Sequence, residues 1–146
     1  MRIYLDCCCI QRPFDDQTQP RIRVEAEAVL AILGSVQAGD ISLLDSEALQ
    51  YEVGRIPDDG RRGEVTAILA LANEDVRITK EVEALAKALE SRGLRAIDAV
   101  HLAIASVADA DYFSTCDDKL LRASQSMPDI RCRVISILGL VAEILR

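Results

Sequence analysis

Residues 96–108 read AIDAVHLAIASVA, a run in which Asp98 and His101 interrupt a series of mostly apolar side chains. A helix that is apolar on nearly every face is typical of one buried inside a domain, so we expect this helix to pack against a sheet. A buried carboxylate is costly unless a cation, hydrogen-bond donors or a raised pKa compensates for it. Asp98 also lies near the helix start, where aspartate often serves as a cap. The run therefore predicts either a functional acid or a cap at position 98.

Short strands alternate with helices on both sides of this run. The stretch 2–6 is β-branched and aromatic and meets Asp6 at its carboxyl end, as a buried parallel strand does. A polar loop is expected at residues 11–17, and residues 76–78 are too few to assign. The alternation predicts a three-layer α/β/α fold with a mostly parallel central sheet of about five strands. Further strands are predicted at 41–44, 112–115 and 132–137. Helices are predicted at 22–36, 62–72, 80–89, 96–108 and 138–145. Another helix is expected to begin after Asp45 or Ser46, and a short one is expected to end near residue 124.

Length and composition fit one ordinary domain. The chain has 146 residues, of which 50% are hydrophobic, so residues 1–146 are predicted to form a single domain with its own core. The apolar start Ile3-Tyr4-Leu5 is broken at once by Asp6, so we expect neither a signal peptide nor a membrane span. The five cysteines show no CxxC or paired Cys/His spacing, which predicts reduced thiols in a cytoplasmic protein.

The charge balance and the missing motifs exclude several kinds of site. A net charge of −7 argues against the broad basic surface used for sequence-independent duplex binding. The presence of a single histidine argues against a zinc hydrolase and a Ser/His/Asp hydrolase, and no phosphate-binding glycine motif is present. Oxygen ligands alone would favour Mg²⁺ or Mn²⁺.

Carboxylates at the ends of predicted strands are the remaining candidates for chemistry. Ligands of open parallel sheets bind beyond the carboxyl ends of strands, and Asp6 and Asp117 each follow a strand there. They would be neighbours only if their strands are adjacent, which the sequence does not establish. Glu52 could equally lie on the solvent face of its helix. His101 is three residues beyond Asp98 on the same helix face, where a supporting role in the core is expected rather than metal ligation.

Four blocks in order, YLDCCCI, SEALQYEV, LRAIDAVHLAIA and YFSTCDDKLL, together resemble the PIN-domain family (PilT N-terminus), which includes the toxin nucleases of VapC type. The resemblance covers essentially the whole chain. It is most specific in the D-A-x-H-L-A-x-A pattern beginning at Asp98 and in the T-x-D pattern ending at Asp117. The S-x-x-x-x-x-E spacing selects Glu52 as the second acid in preference to Glu47.

The resemblance implies a metal-dependent endoribonuclease that hydrolyses RNA with one or two Mg²⁺ or Mn²⁺ ions. Asp6, Asp98 and Asp117 would hold the metal, with Glu52 completing the set of catalytic acids. Supporting roles would fall to Thr115, Asp118 and His101. The implied partners are an RNA substrate, an antitoxin protein if the chain is a toxin, and a second copy of the chain in a homodimer, with helical residues 67–72 as one candidate interface.

The first motif departs from the family pattern. Relatives commonly carry a hydroxyl or amide residue soon after the first aspartate, whereas this chain has Cys7 and Cys8. A thiol is the weaker hydrogen-bonding group, so the departure bears on metal affinity. Two alternatives therefore stay open: an inactive PIN-like binding or assembly module, and a nuclease that acts on DNA.

Overall fold

The computed structural model describes residues 1–146 and has one five-stranded, fully parallel sheet at its centre. The strands occur in the spatial order β3-β2-β1-β4-β5. This arrangement confirms the three-layer α/β/α fold with a parallel sheet that the sequence predicts. The strands are β1 (Arg2–Leu5), β2 (Ser42–Ser46), β3 (Glu74–Val76), β4 (Tyr112–Thr115) and β5 (Arg133–Ser136).

Eight helices connect the strands and cover both faces of the sheet. None of them combines the length and the apolar content that a membrane span requires. The helices are α1 (Cys7–Gln11), α2 (Pro20–Gln37), α3 (Glu47–Gly54), α4 (Asp59–Leu69), α5 (Lys80–Ser91), α6 (Ala96–Val107), α7 (Asp118–Gln125) and α8 (Ile137–Ile144), with a 3-10 turn at Arg12–Phe14.

Alternation along the strands divides the core into two apolar layers. In β1, Tyr4 faces the layer built with α3 to α7, whereas Ile3 and Leu5 face the layer built with α2 and α8. Phe113 of β4 stacks on Tyr4 with ring centroids 5.5 Å apart. The buried run in α6 lies in the first layer, as its apolar composition predicts.

The centre of the sheet determines where the candidate acids meet. Strand β1 pairs with β2 on one side and with β4 on the other, in registers that align Ile3 with both Leu43 and Tyr112. The strand order therefore reverses at β1, and loops from both directions converge at its carboxyl end. Such a reversal is where open α/β sheets commonly bind their ligands.

The structure differs from the predicted elements mainly between residues 7 and 17. The sequence predicts a polar loop at 11–17 and no helix before it, but α1 begins directly after β1, where the Asp6 carboxylate accepts a hydrogen bond from Cys7 N at 2.8 Å. Arg61 then holds the following turn by donating to Gln11 Oε1 and Phe14 O. Local polarity indicated a loop, whereas this long-range arginine contact stabilises a compact turn.

Helix α2 offers a matched test of the core. Leu33 is 5% exposed in the second layer, whereas Leu30 of the same helix is 56% exposed. We expect Leu33→Ala to lower the free energy of unfolding by about 2–5 kcal/mol because it leaves a cavity. The same change at Leu30 should cost less than about 0.5 kcal/mol. Urea unfolding of both variants measures the difference, and equal losses would contradict the placement of α2.

Candidate active site

The first part of the site joins the ends of β1 and β4. Asp6 follows β1 and Asp117 follows β4, and because these strands are adjacent the two acids are brought together. Thr115 links them: its hydroxyl donates to Asp6 Oδ2 at 2.9 Å and accepts from Asp117 N at 3.1 Å. Asp117 also caps α7, accepting from Lys119 N and Leu120 N through Oδ1. Its second carboxylate oxygen is left for other contacts.

Asp98 lies across from this pair on the first turn of α6. The capping alternative is wrong, because Arg95 occupies the N-cap position and Asp98 is the third residue of the helix. The Arg95 guanidinium donates to Asp98 Oδ2 at 3.0 Å while remaining 74% exposed itself. Asp98 and Asp117 line one pocket of about 210 Å³, together with Arg95 and Lys119.

Glu52 reaches the site from α3 and is held by the histidine of α6. Its Oε1 lies 2.7 Å from His101 Nε2, and His101 Nδ1 lies 2.6 Å from the Tyr4 hydroxyl. Tyr4 in turn lies 2.8 Å from the hydroxyl of Ser46, which caps α3 by accepting from Leu49 N. The solvent-face alternative for Glu52 is therefore wrong, and His101 has the supporting core position that its apolar surroundings predict.

One arrangement of protons satisfies this whole chain of hydrogen bonds. The Ser46 hydroxyl donates to Tyr4, Tyr4 donates to His101 Nδ1, and His101 Nε2 donates to the Glu52 carboxylate. Burial raises the pKa of Tyr4 well above its ordinary value, which keeps its hydroxyl protonated as a donor. The hydrogen bond from His101 lowers the pKa of Glu52, which keeps it an acceptor.

Burial and one nearby guanidinium dominate the electrostatics of the site. Burial is the main reason why the pKa of Asp6 is raised well above its ordinary value, since the charged form loses its hydration. The pKa of Arg95 is raised chiefly by its hydrogen bond to Asp98, with further contributions from Asp117 and Asp6. One guanidinium therefore interacts with three of the four candidate acids.

The four acids do not form one compact cluster. No three of their carboxylates have oxygen atoms within 4.8 Å of one another, and Glu52 borders a different pocket from Asp98 and Asp117. Asp118, predicted as an outer carboxylate, points instead to Arg21, which donates to both of its oxygens at 2.8 Å. That ion pair lowers the pKa of Asp118.

Sequence reasoning missed several residues that hold the site together. Sequence patterns placed Tyr4 only in the first strand and assigned no role to Arg95. Arg95 precedes Asp98 by three residues, the spacing of neighbours on a helix face, and this was the available signal. Asp45 was a candidate cap of α3, but Ser46 takes that position, and Asp45 is buried and accepts from Ser46 N at 2.7 Å and from Gln50.

One cysteine side chain contacts the first acid, at the position where the first motif departs from the family pattern. Cys8 Sγ donates to Asp6 Oδ2 at 3.4 Å and lies 3.5 Å from the Thr115 hydroxyl. Cys7 points to the other side of α1, where burial raises its pKa to about 12. Cys8 thus occupies the position from which a hydroxyl or amide side chain would contact the first aspartate.

Comparison with solved structures finds this architecture elsewhere. VapBC2 from Rickettsia felis, solved bound to a DNA fragment from its promoter, matches with a TM-score of 0.61 and 16% identity over 93% of this chain and 98% of the matched chain. PAE2754 from Pyrobaculum aerophilum matches with a TM-score of 0.57 and 15% identity over 99% and 90% of the two chains. No family model and no curated protein sequence matches the chain.

The chain is thus a parallel α/β/α domain whose candidate acids lie near the carboxyl ends of its strands. More specifically, the chain has a PIN-domain fold of the VapC type, as the resemblance predicts. Identities of 15 and 16% establish the fold alone, so the activity has to be argued from the site.

The Glu52–His101 contact predicts a pH dependence of stability. Because the folded protein lowers the pKa of Glu52, this contact stabilises the fold fully above the ordinary value of 4.5 and is lost as the pH falls through the lower folded pKa. We expect Glu52→Gln to be less stable than the native chain at pH 7, and the difference in free energy of unfolding to shrink below pH 4.5.

Chemical unfolding of both proteins from pH 7 downwards measures this difference. Glu27→Gln is the matched control, since Glu27 is exposed on α2 and takes part in no ion pair. The control should track the native chain at every pH. A difference for Glu52→Gln that widens in acid would contradict the contact.

Proposed function

We propose that this chain is a metal-dependent endoribonuclease whose catalytic acids are Asp6, Glu52, Asp98 and Asp117. The observation that carries the proposal is the Thr115 hydroxyl, which ties Asp6 to the backbone of Asp117 where the strand order reverses. Polar ligands of parallel sheets bind at this kind of position. The VapC-type fold supports a nuclease belonging to a toxin-antitoxin pair.

Asp6, Asp98 and Asp117 are the residues that would hold one or two Mg²⁺ or Mn²⁺ ions. Their donors are all carboxylate oxygens, which suit these hard cations. Burial raises the pKa of Asp6, and Arg95 is attracted to three of the acids. Both observations indicate that positive charge would stabilise the acids at these strand ends. When bound, the metal would lower the pKa of a water molecule and stabilise negative charge on phosphate oxygens.

The remaining polar groups have roles that follow from their contacts. Glu52 Oε1 is occupied by His101, so Oε2 is the atom left to accept a proton from a water molecule. The lowered pKa of Glu52 keeps it ionised for this purpose at neutral pH. Arg95 and Lys119 border the pocket of Asp98 and Asp117, where they can contact substrate phosphates.

A pocket of about 700 Å³ beside Glu52 provides a surface for the substrate bases. Tyr51 lines it and is 62% exposed, an unusual exposure for a large ring. The Arg55 guanidinium lies 5.4 Å from the centroid of this ring. Aromatic rings flanked by arginine are typical stacking sites for unpaired bases. This favours single-stranded RNA segments as the substrate.

An antitoxin is the proposed protein partner. VapBC2, which shares this fold, was solved together with promoter DNA, and an antitoxin of this chain would meet a protein with a net charge of −7. A basic segment of the partner would complement that charge. Homodimerisation stays a prediction from the resemblance. Residues 67–72 give it little support, because Leu69 is buried and Ile68 and Leu71 pack against the core.

Loss of Asp98 should abolish cleavage. We expect Asp98→Asn to lower the rate of RNA cleavage in Mn²⁺ or Mg²⁺ by more than about a hundredfold, because even groups that only support a metal ligand are worth about 10–100-fold. The measurement is cleavage of structured and single-stranded RNAs by purified protein, with EDTA as a further condition. Circular dichroism checks that the variant remains folded.

Asp40→Asn is the matched control, since Asp40 is exposed in the turn after α2 and takes part in no ion pair. It should cleave at the native rate. A folded native chain that cuts no RNA with either metal would overturn the proposal in favour of the inactive binding module. Cleavage of single-stranded DNA in preference to RNA would overturn the assignment of the substrate.

Tyr51 provides a test of the substrate surface. Stacking of a base on an aromatic ring is worth about 1–3 kcal/mol, so Tyr51→Ala should raise KM at least about fivefold with a smaller change in kcat. Tyr51→Phe keeps the ring and should keep the native KM. Tyr112 is the control. Its ring centroid lies 5.7 Å from the Arg133 guanidinium, but it lies at the amino end of β4, away from the strand ends that carry the candidate acids. An equal rise of KM in Tyr112→Ala would count against the assignment.

A further inference from the structure

We propose that the thiols of Cys8, Cys9 and Cys116 form a binding site for one thiophilic cation of the Zn²⁺ or Cu⁺ type. The site is separate from the carboxylate donors proposed for Mg²⁺ or Mn²⁺, and it does not depend on nuclease activity. Among all the His, Cys, Asp and Glu side chains, these three form the one group whose ligand atoms all lie within 4.8 Å of one another.

The fold brings the three sulfurs together from two neighbouring loops. Cys8 and Cys9 are in the first turn of α1, directly after β1, and Cys116 directly follows the adjacent strand β4. Cys9 Sγ and Cys116 Sγ are 3.5 Å apart. All three are free thiols. The cluster therefore rests on the same pairing of β1 with β4 that brings Asp6 and Asp117 together.

The sulfur separations suit a shared metal ion. Zinc binds thiolate sulfur at about 2.3 Å, which places the sulfurs about 3.8 Å apart in tetrahedral geometry and about 4.0 Å apart in trigonal geometry. The Cys9–Cys116 pair, at 3.5 Å, is slightly closer than these values, and no pair of the three sulfurs is more than 4.8 Å apart. Binding would therefore need movements of less than about 1 Å, within the range of small side-chain rotations.

The surroundings provide access and partners for the sulfurs. Cys9 and Cys116 are buried, whereas Cys8 is half-buried and opens the cluster towards solvent. Cys116 N donates to Cys8 Sγ at 3.4 Å, a backbone contact of the kind that supports metal-bound thiolates. A water molecule that enters beside the half-buried Cys8 could provide a fourth ligand.

The chemistry of the donors selects the kind of cation. Thiolates bind Zn²⁺ and Cu⁺ in preference to Mg²⁺, Ca²⁺ or Mn²⁺, which take oxygen ligands. Three sulfurs are enough for a trigonal Cu⁺ centre, whereas Zn²⁺ would add an oxygen ligand. Burial of a cysteine does not by itself place it in the cluster. Cys7 and Cys132 are as buried as Cys9 and Cys116, yet neither belongs to it.

Direct titration of the reduced full-length chain tests the site. The protein is kept reduced with a phosphine, and Zn²⁺ or Cu⁺ is added in competition with a chromophoric chelator. We expect one ion per chain, protection of the half-buried Cys8 from alkylation, and no displacement of the ion by a hundredfold excess of Mg²⁺. Sulfur-to-metal absorption with Cd²⁺ as a probe would identify thiolate ligands.

Two variants and a matched control assign the ligands. Cys8→Ser, at the half-buried position, and Cys116→Ala should each weaken binding at least tenfold. Cys132→Ala removes a thiol of nearly the same burial, 6% exposed against 7% for Cys116, and should bind as the native chain does. Circular dichroism of each variant shows that it is folded, and Cys8→Ser, the less buried position, keeps the test valid if Cys116→Ala unfolds.

Each result of these experiments either supports or overturns the proposed thiol site. X-ray absorption that finds three sulfurs around Cu⁺, or three sulfurs and an oxygen around Zn²⁺, supports the site and identifies which cation it prefers. Absence of binding by the native chain, or equal binding by the native chain and the Cys8→Ser variant, would overturn it. Loss of binding in Cys132→Ala to the same extent as in Cys116→Ala would also overturn it.

Discussion

The pairing of β1 with β4 at the middle of the sheet is the constraint on which the rest of the structure depends. Because β2 lies on the other side of β1, the strand order reverses there, and the loops after β1 and β4 meet at one edge. The Thr115 hydroxyl then joins Asp6 to the start of α7. The proposed carboxylate site and the proposed thiol site both rest on this single strand pair.

Burial of polar groups explains why the acids are held as they are. The sheet and α6 remove Asp6, Asp98 and His101 from water, and each must then find a partner or pay a desolvation cost. Thr115, Arg95 and Glu52 are those partners. Burial raises the pKa of Asp6, whereas the hydrogen bond from His101 lowers that of Glu52.

Helix α1 shows how one short element serves both layers of the core. Its Cys7 and Ile10 belong to the layer of α3 to α7, whereas Cys9 belongs to the layer of α2 and α8. Cys8 lies between them at the edge, in contact with Asp6. A run of three small, apolar thiols meets these steric demands where the backbone turns from strand to helix, and it leaves a sulfur beside the first acid.

The sequence by itself determined the alternation of strands and helices, the buried character of α6 and the positions of Asp6 and Asp117 at strand ends. These follow from local patterns of apolar residues, whose periodicity depends only on neighbours along the chain. Tertiary structure alone decided that β1 and β4 are adjacent, that Glu52 binds His101, that Arg21 holds Asp118, and that Arg61 holds the turn after α1. Each of these contacts joins residues distant in sequence, so its free energy depends on how the helices and strands pack, which no local pattern records.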